Sequence, residues 1–169
     1  MKASHLQLNS SFIEELRFTT LEDYELDPDN PDPTLAPSDL QVEVQGATNT
    51  EDELHRFYKL KISLSKNSKI PYTFQITMVG FFRINPDLAT DQRDLVADVN
   101  AQAILYSAAR ESLVMITGRG LYPAISLPSV TFIDNHRSTE EVDDAVKKPG
   151  KNVTGAPATT KTRKRSNKS

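Results

Sequence analysis

Residues 94–132 read DLVADVNAQAILYSAARESLVMITGRGLYPAISLPSVTF, and this stretch decides the fold. Between residues 95 and 117 it contains no Gly or Pro, and good helix formers such as Ala, Leu, Gln, Arg and Glu are frequent, which predicts one long helix. Asp94 and Asp98 lie near its start, where carboxylates suit the positive end of the helix dipole. Gly118 and Gly120 predict a helix end and a sharp change of direction, with positive φ angles that cost glycine little.

The predicted helix is too apolar for the surface of a lone domain. Among residues 103–116 only Ser107, Arg110, Glu111 and Ser112 are polar, so apolar side chains lie nearly all the way round. Such a helix is covered on more than one side. Arg110 and Glu111 interrupt the apolar run too early for the roughly 20 residues that a bilayer requires, so no membrane span is predicted. Because the chain is small, we expect oligomerisation to supply the cover.

Composition bounds the class of protein. A chain of 169 residues with 37% hydrophobic residues is long enough for one domain with a modest core. The absence of cysteine excludes disulfides and thiolate sites. Residues 1–12, MKASHLQLNSSF, lack the apolar region of a secretory signal, which predicts a cytoplasmic location. Residues 147–169 contain eight Lys or Arg and no Asp or Glu, so a basic tail follows an acidic body.

Four stretches of alternating apolar residues predict an antiparallel sheet. The first, residues 6–18, is interrupted at 9–11 and at Ile13, which predicts a bulge or bend. Residues 40–45, 55–65 and 71–84 alternate more regularly, and a turn at 67–69 predicts that the last two form a hairpin. The Pro- and Asp-rich residues 27–37 predict an extended connection, and residues 46–52 a turn-like loop. We therefore expect an α+β fold in which one long helix packs on a four-stranded antiparallel sheet.

Few residues point to catalysis. His5, His55 and His136 lie in unrelated segments without a partner at metal or triad spacing. The Gly-x-Gly at 118–120 follows a helix instead of preceding one, so we interpret it as helix termination and not as a phosphate loop. Acidic pairs such as 14–15 and 143–144 are interpreted as solvated charge. We expect no enzymatic activity, no metal site and no cofactor.

Residues 109–132, ARESLVMITGRGLYPAISLPSVTF, carry the most specific pattern of the chain. Ala-Arg-Glu lies in the helix, Arg-Gly follows its end, an aromatic precedes a proline, and Ile-Ser-Leu leads through Pro and Val to Phe. Together with Val-Gly-Phe-Phe at 79–82, this pattern resembles the signature of the SecB family. The resemblance covers about residues 6–132. It implies a homotetramer, assembled as a dimer of dimers, that holds unfolded preproteins for export without ATP.

The resemblance implies grooves for non-native polypeptide where helix, sheet and the connection at 120–128 meet. A nonspecific chaperone needs apolar area for affinity and exposed strand-like backbone for pairing. Tyr122 is the leading candidate, because an aromatic on a loop is costly to expose unless something packs on it. The expected groove residues are Phe81, Phe82, Leu121, Tyr122, Ile125 and Leu127. Of these, Phe82, Ile125 and Leu127 fit a plain core position equally well.

Other expected contacts concern assembly and docking. We expect Tyr106, Arg110 and Leu113 in an oligomer interface, with Arg110 and Glu111 as an ion pair of the helix or of that interface. In export SecB proteins, an acidic patch on the outer sheet face docks the ATPase SecA. Glu15 falls on one position of that patch, but three uncharged residues occupy the others, which argues against docking: Thr19, Thr73 and Gln75.

Two alternatives stay open at this point. SecB-like proteins also include chaperones dedicated to the antitoxin of a toxin–antitoxin pair, and the sequence does not choose between general export and one dedicated client. The basic residues 161–165 are also of the kind that binds nucleic acid or an acidic surface nonspecifically by counterion release, although no aromatic is present for base stacking.

The expected organisation has three parts. Residues 1–133 form the SecB-like domain. In residues 134–148 the apolar periodicity is weak, so the second helix of the family is expected to be short, frayed or absent. Residues 149–169 bury too little apolar surface to offset the entropy of ordering, which predicts a disordered basic tail.

Overall fold

The computed structural model describes residues 4–25, 28, 34–65 and 70–133. In chain order it contains β1 (Leu6–Thr20), a 3-10 turn (Pro37–Asp39), β2 (Leu40–Thr48), β3 (His55–Leu64), β4 (Tyr72–Ile84) and α1 (Thr90–Thr117). The four strands form one antiparallel sheet of order β1-β4-β3-β2. The predicted α+β fold is thereby confirmed. The predictions for residues 67–69, 134–148 and 149–169 lie outside the described residues.

Alternation along the strands separates an inner face, covered by α1, from an outer face. Side chains of an antiparallel pair that lie directly opposite each other share a face, so the register assigns the inner positions of every strand. At the centre, a Cβ added to Gly80 would lie 2.9 Å from Leu105 Cδ2, so the helix approaches the strand closely there. The buried inner positions of β3 and β4 are Tyr58, Leu60, Ile62, Tyr72, Phe74, Ile76, Met78, Phe82 and Ile84.

The predicted irregularity of β1 is confirmed, and two register shifts are present. The first lies between Leu8 and Ser10, and the second between Ile13 and Glu15. Each bulge inserts one residue against β4 and so exchanges the two faces of β1. The first bulge places Ile13 on the inner face and Phe12 on the outer face. After the second bulge, Leu16 is opposite Ile76 on the inner face. The bulges therefore explain why the apolar spacing of this strand is not strictly alternating.

Two predicted boundaries were too narrow. β2 continues to Thr48, into the segment that we predicted as a loop. α1 begins at Thr90, more than one turn before residue 95, because residues 90–94 contain no helix breaker and Asp91 suits the positive end of the helix dipole. Its 28 residues span about 42 Å at the usual rise per residue.

The prediction of left-handed glycines at the end of α1 was wrong. Gly118 has φ −65° and ψ −8°, which is right-handed, and Gly120 is not left-handed either. Space explains these glycines instead. A Cβ on Gly118 would lie 2.9 Å from the carbonyl oxygen of Val114, and one on Gly120 would lie 2.9 Å from Tyr72 Oη. The chain thus uses glycine here to let the backbone pass close to its neighbours.

Polar contacts fix the first turns of α1 over β3. The guanidinium of Arg56 donates to Asp94 Oδ1 over 3.0 Å, and the hydroxyl of Tyr58 donates to Asp98. The pKa of Tyr58 is raised, mainly by burial and to a smaller extent by this hydrogen bond. Further along the described helix, Gln102 is buried, and its Oε1 has no hydrogen-bond partner. The beginning of α1 is therefore anchored by side chains, whereas its middle contains an unsatisfied acceptor.

Candidate functional site

We call residues 118–132 the crossover; this segment follows α1 and returns over the helix. Although it has almost no regular structure, side chains of the core fasten its backbone. Tyr72 Oη donates to the carbonyl oxygen of Tyr122 over 2.7 Å and accepts from the amide of Tyr122 over 3.2 Å. Thr117 Oγ1 donates to the carbonyl of Leu113 over 2.7 Å and accepts from the amide of Ile125 over 3.0 Å. Two hydroxyl groups thus satisfy three polar backbone groups of the crossover.

Side chains of α1 fasten the second half of the crossover. Tyr106 Oη donates to the carbonyl of Pro128 over 2.8 Å, and Arg110 Nε donates to the carbonyl of Leu127 over 2.8 Å. Burial raises the pKa of Tyr106, with a smaller opposing effect of the Arg110 charge. Within the described chain, Arg110 therefore contacts the crossover and forms no ion pair with Glu111. Of the two predicted forms of an Arg110–Glu111 ion pair, the one within the helix was wrong, and the one across an interface stays a prediction.

Tyr122 is the aromatic residue of the crossover, and its ring is half-buried. The ring centroid lies 5.4 Å from that of Tyr24 and 6.1 Å from that of Tyr72, both in edge-on geometry. Its hydroxyl donates to the carbonyl of Tyr24 over 3.2 Å. Tyr24 and Tyr72 of the same chain therefore pack on this aromatic, and its expected contact with a client stays a prediction. The neighbouring Leu121 is 83% exposed, so a large apolar side chain stands in solvent beside a fixed aromatic one.

The structure divides the six predicted groove residues into three groups. Leu121 and Tyr122 lie on the surface of the crossover, whereas Phe81 is exposed on the outer face of the sheet. These positions do not form one continuous groove within a single chain. The remaining three belong to the hydrophobic core: Phe82, Ile125 and Leu127.

The three predicted interface residues make contacts within their own chain. Tyr106 and Leu113 are buried, and Arg110 is bound to the crossover. A side chain that is already buried contributes little further area to an interface. The expected place of these three residues in an oligomer interface stays a prediction.

The inner face of β1 is left partly uncovered by α1. We call Leu8, Ile13 and Leu16 the open strip, since each lies on the inner face and is about 40% exposed. Beside the beginning of β1, a hollow of about 370 Å³ is lined by residues of α1 and the N-terminal segment, namely Ser4, Asn100, Ala103, Ile104 and Ser107. β1 is also an edge strand, so its backbone offers unpaired polar groups as well as apolar side chains.

The outer face brings the predicted docking positions together. Arg17 is opposite Gln75 and Thr19 is opposite Thr73, with Glu15 on the same face. The carboxylate of Glu15 accepts from Gln75 Nε2 over 2.6 Å and forms an ion pair with Arg17 over 2.7 Å. Its charge is therefore already compensated within the chain.

The described residues contain no cluster of three or more His, Asp or Glu side chains that could hold a metal ion. In the same part of the chain, no helix is both long and apolar enough to cross a membrane.

The sequence analysis missed the residues that shape the crossover. Tyr72 was only one residue of the alternating stretch 71–84, and Thr117 only marked the end of the predicted helix. No sequence pattern marked these two residues, because each hydroxyl binds the backbone of the crossover and the path of the crossover depends on the whole fold. Tyr24 follows β1 and was not considered, although the expected need for a partner of Tyr122 pointed to a residue of this kind.

The fold and these surfaces define a class of α+β protein in which one helix covers one face of an antiparallel sheet and apolar side chains remain exposed on the crossover and on β1. Comparison with protein families shows which family of this class the chain belongs to. Residues 1–141 match the family described as preprotein translocase subunit SecB, and the chain belongs to the SecB family.

Individual relatives are distant. The protein-export protein SecB of Rhodospirillum centenum (strain ATCC 51521 / SW) is 25% identical over 101 residues, which span 59% of this chain and 59% of that protein. This chain therefore spans less than two thirds of the relative that it matches. A SecB-like chaperone of Mycobacterium tuberculosis, solved in complex with a peptide from the HigA1 antitoxin, has a TM-score of 0.50 and 12% identity over 75% of this chain and 91% of that one. A protein of unknown function from Streptococcus agalactiae has a TM-score of 0.41 and 15% identity over 76% of this chain and all of that one.

Proposed function

We propose that this protein is an ATP-independent holdase that binds non-native polypeptides in protein export. The observation that carries the proposal is the exposed Leu121 beside Tyr122 on a crossover whose backbone is fixed by side-chain hydrogen bonds. An apolar surface on a preorganised backbone binds an extended chain without the cost of ordering the surface itself. Family membership supports the same function.

In this proposal Leu121 and Tyr122 contact the client directly. Phe82, Ile125 and Leu127 lie in the core beneath and keep the crossover in place, since Ile125 and Leu127 also provide the backbone groups that Thr117 and Arg110 bind. No nucleotide is invoked, so release depends on competition for the exposed surface.

The same proposal includes assembly into a homotetramer. The open strip and the apolar side of α1 leave large hydrophobic side chains in solvent, among them Met115 at the end of the helix. Contiguous apolar surface of this kind marks an interaction site. We propose that a second copy covers the open strip by packing β1 against β1 and α1 against α1.

Suppression of aggregation tests the holdase. A guanidinium-unfolded model protein is diluted into buffer with increasing amounts of the full chain, of Leu121→Ser, or of the matched control Leu95→Ser, which alters another exposed leucine far from the crossover. We expect Leu121→Ser to require several times more protein for half-suppression, while Leu95→Ser behaves as the wild type. Wild-type potency in Leu121→Ser, with both variants folded by circular dichroism, contradicts the proposed surface.

A second candidate is a chaperone dedicated to one client instead of general export. The observation that favours it is the compensated charge of Glu15 and the uncharged Thr19, Thr73 and Gln75, which leave no acidic patch for SecA at these positions. A pull-down of purified SecA, together with aggregation assays on several unrelated unfolded proteins, separates the two. Binding of SecA and broad suppression support general export, whereas protection of one protein only supports the dedicated role.

A further inference from the structure

The outer face of the sheet carries an aromatic patch formed by Phe12 of β1, Phe57 of β3 and Phe81 of β4. The Phe81 ring is central, with its centroid 6.5 Å from that of Phe12 and 5.5 Å from that of Phe57. Phe12 is 50% exposed and Phe81 is 43% exposed. Three aromatic rings from three strands thus present one apolar surface on the side of the sheet that α1 does not cover.

A hollow of about 230 Å³ adjoins the patch. Phe57 and Phe81 line one side of it, and the end of β2 with the following residue, at positions 47–49, lines another. An apolar cavity of about 150 Å³ engineered in another protein holds a benzene molecule, so this hollow has room for one aromatic side chain. Because β2 is an edge strand, a peptide backbone can also approach its unpaired polar groups.

Among the described cations around the patch, Arg83 differs from the others in its contacts. Lys59 forms an ion pair with Glu14, and His55 contacts Asp52 over 2.8 Å. Arg83 is directly opposite His55 and two residues beyond Phe81, so it shares their face at the margin of the patch. It is exposed and forms no ion pair within the described part of the chain. Its charge also acts on the nearby Asp52, and it lies beside the hollow and not in its lining. A carboxylate next to a ring bound in the hollow would therefore meet a guanidinium that forms no ion pair.

We propose that the aromatic patch and Arg83 form a second peptide-binding site, which takes a short extended segment containing an aromatic residue next to an acidic one. The aromatic ring enters the hollow against Phe57 and Phe81, and the carboxylate forms a charge-assisted hydrogen bond with the Arg83 guanidinium. This site is on the opposite face from the covered core and separate from the crossover, so it stands independently of the proposed holdase activity.

Peptide binding to the full chain tests the site. The probe is a fluorescein-labelled peptide of sequence Ser-Gly-Phe-Asp-Gly-Ser, followed by fluorescence anisotropy, beside probes with Asp replaced by Asn or Phe replaced by Ala. We expect each replacement to weaken binding, and Phe81→Ser to weaken it by about tenfold or more, the usual effect of removing a central aromatic anchor. Arg83→Gln should weaken binding of the Asp probe by about threefold to fivefold, as for an exposed charge pair, and abolish the preference for Asp over Asn.

Control variants keep the result interpretable. Arg17→Gln removes another exposed cation of the outer face and should bind the probe as the wild type does. Leu121→Ser reports whether the probe uses the crossover instead of the outer face. Arg83→Gln changes an exposed side chain and so remains informative even where Phe81→Ser fails to fold. Equal affinity of the Asp and Asn probes for the wild type, or loss of binding in Leu121→Ser, overturns the proposal. Self-association that is abolished by Phe81→Ser overturns it too, because a second copy then occupies the patch.

The holdase is measured separately by suppression of aggregation. If the peptide does not bind but aggregation is still suppressed, only the proposed outer site is contradicted. If the peptide binds but aggregation is not suppressed, only the proposed role of the crossover is contradicted.

Discussion

The crossover and β1 differ in a way that secondary structure alone does not show. The crossover is almost entirely irregular, but Tyr72, Thr117 and Arg110 satisfy its backbone and its Leu127 side chain is fully buried. β1 is a strand of 15 residues that pairs with β4, but the open strip on its inner face remains about 40% exposed. The segment without regular structure is thus well packed within one chain, whereas the strand is not.

This difference indicates where a partner is needed. Stability comes from buried apolar area and satisfied polar groups, and a strand whose apolar face is half in solvent has gained only part of that free energy. The crossover needs no second chain to hold its conformation, so it can serve as a fixed binding surface. β1 would gain most from association, which is why we propose it as the interface between copies.

The largest effect is expected from two leucines of the crossover. Leu127 is 1% exposed and Leu121 is 83% exposed, so the same substitution separates core from surface. Leu127→Ala should lower the free energy of unfolding by about 2–5 kcal/mol, and Leu121→Ala should change it by no more than about 0.5 kcal/mol. Guanidinium unfolding at one fixed protein concentration measures both. Equal losses would contradict the division of the crossover into a buried and an exposed part.

A smaller effect is expected from the hydroxyl of Thr117. Thr117→Val leaves the buried amide of Ile125 without its acceptor, which costs about 1–3 kcal/mol of unfolding free energy. Ser112→Ala is the control, because its hydroxyl only donates back to the carbonyl of Ala108. Hydrogen exchange should show faster exchange of the Ile125 amide in Thr117→Val alone. Unchanged protection of that amide argues against the fastening of the crossover by this side chain.

Replacing Gln102 should raise the free energy of unfolding, whereas the substitutions above lower it. The Gln102 Oε1 is buried without a partner in the described chain, so Gln102→Leu removes an unmet acceptor and should raise the free energy of unfolding by about 1 kcal/mol. Asn100→Leu, at an exposed position of the same helix, is the control. A loss of stability in Gln102→Leu, found only at protein concentrations where copies associate, means that a second chain supplies the missing donor.

The smallest effect concerns alkaline pH. Burial and the hydrogen bond to Asp98 raise the pKa of Tyr58 above its ordinary value of 10.0 in the folded chain, so folding favours the neutral phenol. This contribution is complete below about pH 10 and is lost as the pH rises further, because the unfolded chain ionises first. Tyr58→Phe should therefore lose stability less steeply than the wild type between about pH 10 and pH 11. Parallel curves in that range contradict the assignment.

The sequence predicted those parts of the fold that depend on local periodicity. Strict alternation in β3 and β4 predicted two faces and placed Phe81 and Phe82 on opposite ones, but it left Phe82 open between groove and core, and the structure places it in the core. The bulges of β1 were predicted as one irregularity, because spacing shows that alternation fails but not how many residues are inserted.

The features that the sequence did not predict depend on the route that the chain takes through the folded structure. Arg110 was expected to pair with Glu111 nearby, but the crossover returns over α1 and offers the carbonyl of Leu127 instead. Gly118 was expected to adopt a left-handed conformation, but it accommodates the close carbonyl of Val114. In each case the deciding neighbour is fixed by the fold and not by sequence spacing.

The most direct test of the account is the mass of the full chain in solution, measured by light scattering for the wild type and two variants. Ile13 and Phe12 are adjacent in β1 but lie on opposite faces, so Ile13→Asp charges the open strip and Phe12→Asp charges the outer face. We expect four times the chain mass of 18.9 kDa for the wild type and for Phe12→Asp, and a smaller, folded species for Ile13→Asp. A wild-type mass of one chain, or an Ile13→Asp variant that assembles as the wild type does, contradicts the account.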